Sequence, residues 1–133
     1  MNHKDIDIIK YEGDGYQPLI DFESWRIAYL RYCEELEVPN LKTMQRHNES
    51  DEVFVLLAGH CTLYTGGEEE EIGDIKAEAM EQYQLYNVKK GVWHTHTLEK
   101  ETTVLIVENQ NTSDANSPTR NLTQDQIRVL REL

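Results

Sequence analysis

Five histidines stand in this chain, and the spacing of three of them suggests a common meeting place. His47 lies in the polar stretch Gln45-Arg46-His47-Asn48-Glu49-Ser50-Asp51-Glu52. Side chains alternate across a β-strand, so Gln45 and His47 share one face. Glu52 opens the next apolar run after a tight polar turn. His94 and His96 share a face of a later alternating segment, Val92 to Leu98. If these strands converge, imidazoles and a carboxylate meet inside a β barrel. Two histidines and one carboxylate are a ligand set for Fe, Mn, Zn or Ni. Gln45 can serve differently, by hydrogen-bonding a ligand, because its amide both donates and accepts. His96 is expected to line the same pocket. His60 is expected to face solvent or a partner. His3 is set aside with the opening residues.

These residues must be held by short strands. Glu52 to Ala58 is the clearest, with Val53, Val55 and Leu57 facing one way and Phe54 and Leu56 the other. Both faces are apolar, which suits a strand covered on both sides. Asp5 to Tyr11 carries a β-branched run around Ile6, Ile8 and Ile9, broken by Glu12-Gly13-Asp14-Gly15. Ser24 to Cys33, Leu41 to Arg46, His60 to Thr65 and Thr103 to Val107 read as further strands, and Ile75 to Val88 as two more. Arg26 and Arg31 fall on opposite faces of their segment, so at most one points inward. An inward arginine would favour a carboxylate or phosphate ligand. Glu68 to Glu71 reads as a solvated hairpin tip and Asn109 to Pro118 as a polar loop. Thr123-Gln124-Asp125-Gln126 is a capping box opening a short helix, about 124–133, with Ile127, Leu130 and Leu133 on one face. Eight to ten short strands and one C-terminal helix predict an all-β sandwich or barrel.

Composition bounds what such a barrel can serve. The 133 residues fit one domain. Thirteen Lys+Arg against 25 Asp+Glu give a net charge of −12, which argues against a general nucleic-acid or anionic-membrane binder. No apolar stretch is long enough to span a bilayer. Met1 to Asp5 lacks the apolar core of a secretion signal, and Cys33 and Cys61 have no metal-pair spacing. A cytoplasmic protein with reduced thiols is expected.

Arg46-His47-Asn48-Glu49-Ser50-Asp51-Glu52-Val53-Phe54-Val55-Leu56-Leu57-Ala58-Gly59 resembles the first motif of the cupins. Lys90-Gly91-Val92-Trp93-His94, followed by Thr103 to Glu108, resembles the second. The resemblance covers residues 40 to 108. It implies a double-stranded β-helix, a small jelly-roll barrel, spanning 1–133 as a single domain. It also implies a mononuclear metal at Gln45, His47, Glu52 and His94. The chain departs from the pattern at several points. Gln45 replaces the first histidine, and Pro39 the glycine that opens the first motif. Tyr83 and Lys89 stand at the second motif's glycine and proline, and Leu98 at its asparagine. That leaves His47, Glu52 and His94 as metal ligands, with Gln45 and His96 as pocket residues. The implied function is small-molecule binding in the barrel, with one divalent transition metal. The alternative is a metal-dependent isomerase, lyase or dioxygenase acting on a small polar metabolite, with catalytic groups unassigned. The two apolar faces of Glu52 to Ala58 favour a homodimer paired through sheets.

Overall fold

Short apolar runs bounded by glycines and polar turns become strands here, since each can bury one face and satisfy its backbone on a neighbour. The computed structural model describes residues 5–133, so His3 lies outside it. Among the described residues ten strands form: β1 (Gly15–Phe22), β2 (Trp25–Arg31), β3 (Thr43–Gln45), β4 (Glu52–Ala58), β5 (Cys61–Thr65), β6 (Lys76–Ala79), β7 (Tyr86–Val88), β8 (His94–Leu98), β9 (Thr103–Asn109) and β10 (Thr119–Asn121). One helix, α1 (Gln124–Glu132), follows. The strands make two antiparallel five-stranded sheets, ordered β1-β2-β9-β4-β7 and β10-β3-β8-β5-β6. This is a jelly-roll barrel with a short C-terminal helix. Among the described residues no helix is long and apolar enough to cross a membrane.

The core between the sheets follows the alternation of β4. Phe54 and Leu56 are buried beside Leu30, Leu63, Leu98, Val104 and Ile106. A second cluster joins Met44, Tyr64, Ile72, Trp93 and Leu122 to Leu130 of α1. Thr123 caps that helix, accepting from Gln126 N while Gln126 Oε1 accepts from Thr123 N. Ile127 is partly buried, but Leu133 lies past the last turn and is exposed. Gly59 turns the chain from β4 into β5 at φ +85°, and a Cβ there would sit 2.6 Å from the Thr102 Cα. Only glycine fits that turn.

Two differences from the sequence reading have physical causes. Asp5 to Tyr11 forms no strand, and its isoleucines are exposed. Strand propensity reflects packing of side chains on a half-buried surface, and these find none; the first sheet ends instead at β1. That strand starts at Gly15 and tolerates Pro18, where the register with β2 shifts before Ile20. Proline is admissible there because an edge strand leaves backbone N–H groups unpaired on one side. The Glu68 to Glu71 tip is exposed, but it is tethered as well. Arg46 donates to the Glu68 and Glu69 carbonyls, and Arg120 pairs with Glu70 and Glu71.

Candidate metal centre and its pocket

Strand pairing builds the site from two facing rows. In one sheet Asp21, Arg26, Glu108 and Glu52 are register partners across β1, β2, β9 and β4. In the other, Thr119, Gln45, His94 and Thr65 are partners across β10, β3, β8 and β5. His47 follows β3 and closes the gap between the rows. Arg26, Glu108 and Glu52 of the first row and Thr119, Gln45 and His94 of the second line a cavity of about 480 Å³.

His47, Glu52 and His94 converge and are buried. His47 Nε2 stands 2.9 Å from Glu52 Oε1, and His94 Nε2 stands 3.0 Å from the same oxygen. The two imidazole centroids are 5.1 Å apart. His94 Nδ1 lies 2.9 Å from the Val92 carbonyl, which can only accept, so Nδ1 carries a proton. With Nε2 unprotonated, His94 would aim a lone pair at the Glu52 oxygen, an arrangement that calls for positive charge, a proton or a metal ion, between them. Protons on the imidazoles supply it in one state. A metal ion seated among the three ligand atoms, which lie within 4.8 Å of one another, would supply it in another. A backbone carbonyl behind a ligating imidazole is also the usual support for one. The donor set fits a metal ion, and His47, Glu52 and His94 could hold one.

The electrostatics follow from burial and partners. Burial resists ionisation of Glu52, but the hydrogen bonds and charges of His47 and His94 outweigh it and hold the carboxyl well below the usual range. Burial likewise opposes a charge on His47, and Glu52 overcomes it and raises the imidazole. The Arg26 guanidinium stands 3.8 Å from Glu108 and is shared with Asp21. Burial first, then the charge of Glu52, push it up to about 7. The Tyr16 hydroxyl donates to Glu108 Oε2, and burial and that carboxylate raise the phenol.

Gln45 lines the cavity, but its amide nitrogen donates to the Ser117 carbonyl at 3.0 Å. His96 also lines it, two residues deeper along β8. Burial lowers its imidazole to about 4, and its Nδ1 is buried without a hydrogen-bond partner. His60 is exposed. Of the two arginines, Arg26 faces the cavity. Its charge is already engaged by Asp21 at 2.8 Å and by Glu108 at 3.8 Å, which weakens the expectation of a carboxylate or phosphate ligand. Arg31 instead donates to the Gly13 carbonyl and Thr103.

The sequence reading missed Glu108, Tyr16 and Ser117 as cavity residues. Glu108 was findable, because alternation with Val104 and Ile106 puts it on the inner face of β9. Ser117 sits in a loop and Tyr16 on the unrecognised edge strand, and neither carries a local signal.

No protein-family model and no curated protein matches the chain. Solved structures do. Pac13, a Streptomyces nucleoside dehydratase, superposes with a TM-score of 0.59 at 8% identity, over 86% of this chain and 86% of that one. KdgF from Halomonas sp. gives 0.55 at 8% identity, over 75% and 82%. A cupin-2 domain-containing protein from Shewanella frigidimarina gives 0.51 at 17% identity, over 74% and 84%. At these identities the likeness is one of architecture, and with the two motifs of the sequence it identifies the barrel: this chain has the fold of the cupin superfamily.

Proposed function

We propose that the protein binds a small polar molecule in its barrel cavity, next to one divalent transition metal held by His47, Glu52 and His94. The observation that carries this reading is the convergence of two imidazole Nε2 atoms on a single carboxylate oxygen. A bound metal would polarise a ligand oxygen or activate a water. Arg26, Tyr16, Glu108 and His96 then line the space a ligand would fill. Protein purified without chelator or metal-affinity resin is expected to carry, or take up on reconstitution, about one equivalent of Fe, Mn, Zn or Ni. His47→Ala and His94→Ala are each expected to lose most of it. Elemental analysis decides the matter. Less than about a tenth of an equivalent in wild type, unchanged on reconstitution, would rule out the metal, since three such ligands bind well below micromolar levels.

A second reading, a metal-dependent lyase or isomerase, is favoured by Glu108. It is a second carboxylate in the cavity, in register with Glu52 and held by the Tyr16 hydroxyl. Pac13 is described as a nucleoside dehydratase, so a barrel of this architecture can host such an activity. Substrate-panel assays on metal-loaded protein separate the readings: turnover lost in Glu108→Gln with metal content unchanged supports an enzyme.

The protein is also proposed to be a homodimer. Ile27, Val107 and Val53 form one row on the outer face of the first sheet, and Tyr29, Leu105 and Val55 the next. These six side chains are uncharged in a chain of net charge −12, so two copies can meet there without opposing carboxylates. Light scattering at micromolar concentration is expected to give twice the 15.6 kDa chain mass. Val55→Lys, in the middle of that face, is expected to give the chain mass alone, and a wild-type monomer would refute the pairing.

A further inference from the structure

We propose that the cavity takes an uncharged, hydroxyl-bearing ligand, and that Asp21, Arg26 and Glu108 form the charge filter that keeps carboxylates and phosphates out. The ligand's place rests on the binding reading above, whereas the filter is built from the chain alone.

Arg26 is the only lysine or arginine among the described residues that line the cavity. Its side chain is 15% exposed, and every guanidinium nitrogen already has an acceptor. Nε donates to Asp21 Oδ1 at 2.8 Å and Nη2 to Asp21 Oδ2 at 3.4 Å. Nη1 donates to the Thr112 carbonyl at 3.2 Å and stands 3.8 Å from Glu108 Oε2, the oxygen that also accepts from Tyr16. Asp21, Arg26 and Glu108 are register partners across β1, β2 and β9, so strand pairing itself sets the guanidinium between two carboxylates. Asp21 stands outside the cavity lining and holds Arg26 from the hairpin side, next to the Phe22–Trp25 ring contact. An incoming anion would have to displace a carboxylate that is fixed in place, trading one ion pair for another with no gain in pairing. It would also meet the carboxylates of Glu52, Glu108 and Asp114, which line the same space. Against them stand Arg26 and, when bound, the divalent ion: three positive charges for three negative ones, with none left for a ligand.

The carboxylates are committed in the same way, so an ammonium finds no free partner either. Glu52 faces both imidazoles, Glu108 faces Tyr16 and Arg26, and the Asp114 carboxylate lies 3.5 Å from the Gln45 amide nitrogen. Each carboxylate keeps spare lone pairs, which only a donor can use. Gln45 adds to them. Its nitrogen donates to the Ser117 carbonyl at 3.0 Å, which leaves its oxygen to accept. Thr119, its register partner, and Thr43, on the same face of β3, bring hydroxyls beside it. Ligand hydroxyls answer such a surface, because each donates one proton and still accepts. Leu30 and Ile106 supply a buried apolar part of the lining. A ring or chain with hydroxyls along one side and carbon on the other, the form of a neutral sugar or polyol, matches both.

Inorganic phosphate, titrated into metal-free protein at constant ionic strength, tests the filter. The ¹H–¹⁵N signals of Arg26 Nε and of the Thr112 and Ser113 amides report binding at the cavity. Wild type is expected to show no saturable shift. Asp21→Asn and Glu108→Gln keep the side-chain shapes but each remove one of the two negative charges, and each is expected to tighten phosphate. The double variant is expected to bind at least about 10-fold more tightly than the wild-type limit, the scale of one charge-assisted hydrogen bond. Adding Arg26→Gln to the double variant is expected to abolish the gain. Matched pairs test the ligand class by calorimetry, in the same metal-free protein and again with Zn²⁺: D-galactose with D-galacturonate, and glycerol with glycerol phosphate. The uncharged member of a pair is expected to bind more tightly than the charged one. Saturable phosphate binding in wild type would overturn the filter, as would a double variant with no gain. A charged member tighter than its neutral partner would overturn the ligand class. If wild type takes up no Zn²⁺, the metal reading fails while the phosphate series still decides the filter. If the double variant does not fold, Asp21→Asn decides, because that side chain is 39% exposed on the hairpin and its replacement leaves the core untouched. No gain there would overturn the filter.

Discussion

Metal-free protein carrying Glu52→Gln is expected to be about 3–5 kcal/mol less stable than wild type in mildly acid solution, the usual cost of removing one partner from a buried ion cluster. The deficit is expected to shrink at both ends of the pH scale. Glu52 is held below its ordinary 4.5, so it stabilises the fold above that pH, and the gain is lost as pH falls through its folded value. His47 is held above its ordinary 6.5, so its share is complete below 6.5 and is lost as pH rises through its folded value. Both are in force together between pH 4.5 and 6.5. Glu108 biases the deficit toward the acid end of this window. Its raised value costs stability as pH climbs from 4.5 toward 7, and removing the Glu52 charge relieves part of that cost. A bound metal inverts the alkaline limb, because coordination needs neutral imidazoles and protons compete for them. Stabilisation by excess Zn²⁺ should therefore grow with pH over the range where the metal-free cluster weakens. Urea unfolding of both proteins from pH 3 to 9, with chelator and with Zn²⁺, reads both limbs. A pH-independent difference between wild type and Glu52→Gln in chelator would show that the cluster carries no net charge interaction.

The parts of this site that could be read from the sequence are those fixed by local alternation. Glu52 belongs to the same face as Phe54 and Leu56, so the apolar pattern of β4 that defines the core also carries the carboxylate inward. His94 and His96 follow Trp93 in the same way, with inner and outer faces alternating residue by residue. The capping box at Thr123 is a contact three residues long and forms as read. The remainder depends on which strands pair. Tyr16 meets Glu108 across 92 residues, and the Arg26–Glu108–Glu52 row exists only because β9 inserts between β2 and β4. No window of sequence contains that insertion. Ser117 is a harder case. Its role depends on a loop with no periodicity, joined to Gln45 across 72 residues. The isoleucines of Asp5 to Tyr11 failed in the opposite direction, because strong β propensity makes no strand without a surface for its side chains to pack against. β1 succeeded despite Pro18 because it has an edge position and an apolar neighbour in β2.

Trp93→Ala is expected to cost about 3–5 kcal/mol from lost packing alone, a large share of the stability of a domain this size. Trp93 is 1% exposed and sits in the second core cluster with Met44, Ile72 and Leu130. Its alternation partner in sequence is His94, so the residue that fills the outer cluster fixes where β8 starts and which way His94 points. Three further interactions converge on the same indole. Its Nε1–H donates to the Glu69 carbonyl at 2.9 Å. The Arg46 guanidinium lies 4.6 Å from its ring centroid and the Arg120 guanidinium 5.8 Å. Those arginines also hold the acidic tip Glu68 to Glu71, so the indole is where four negative side chains are tied to the barrel. A cation over an indole face adds about 0.5–2 kcal/mol, depending on how far it is desolvated. Trp93→Phe separates the contributions. It keeps most of the ring volume and a π face but removes the Nε1 donor, leaving the Glu69 carbonyl to water. Its expected cost is about 1–2 kcal/mol, one hydrogen bond plus a small packing defect. Urea midpoints for the two variants test the ranking, and protease nicking within residues 66–73 tests the tether. Trp93→Ala is expected to be cut there first, Trp93→Phe more slowly, and wild type slowest. Equal midpoints for the two variants would mean that the hydrogen bond, and not the packing, holds this corner of the barrel.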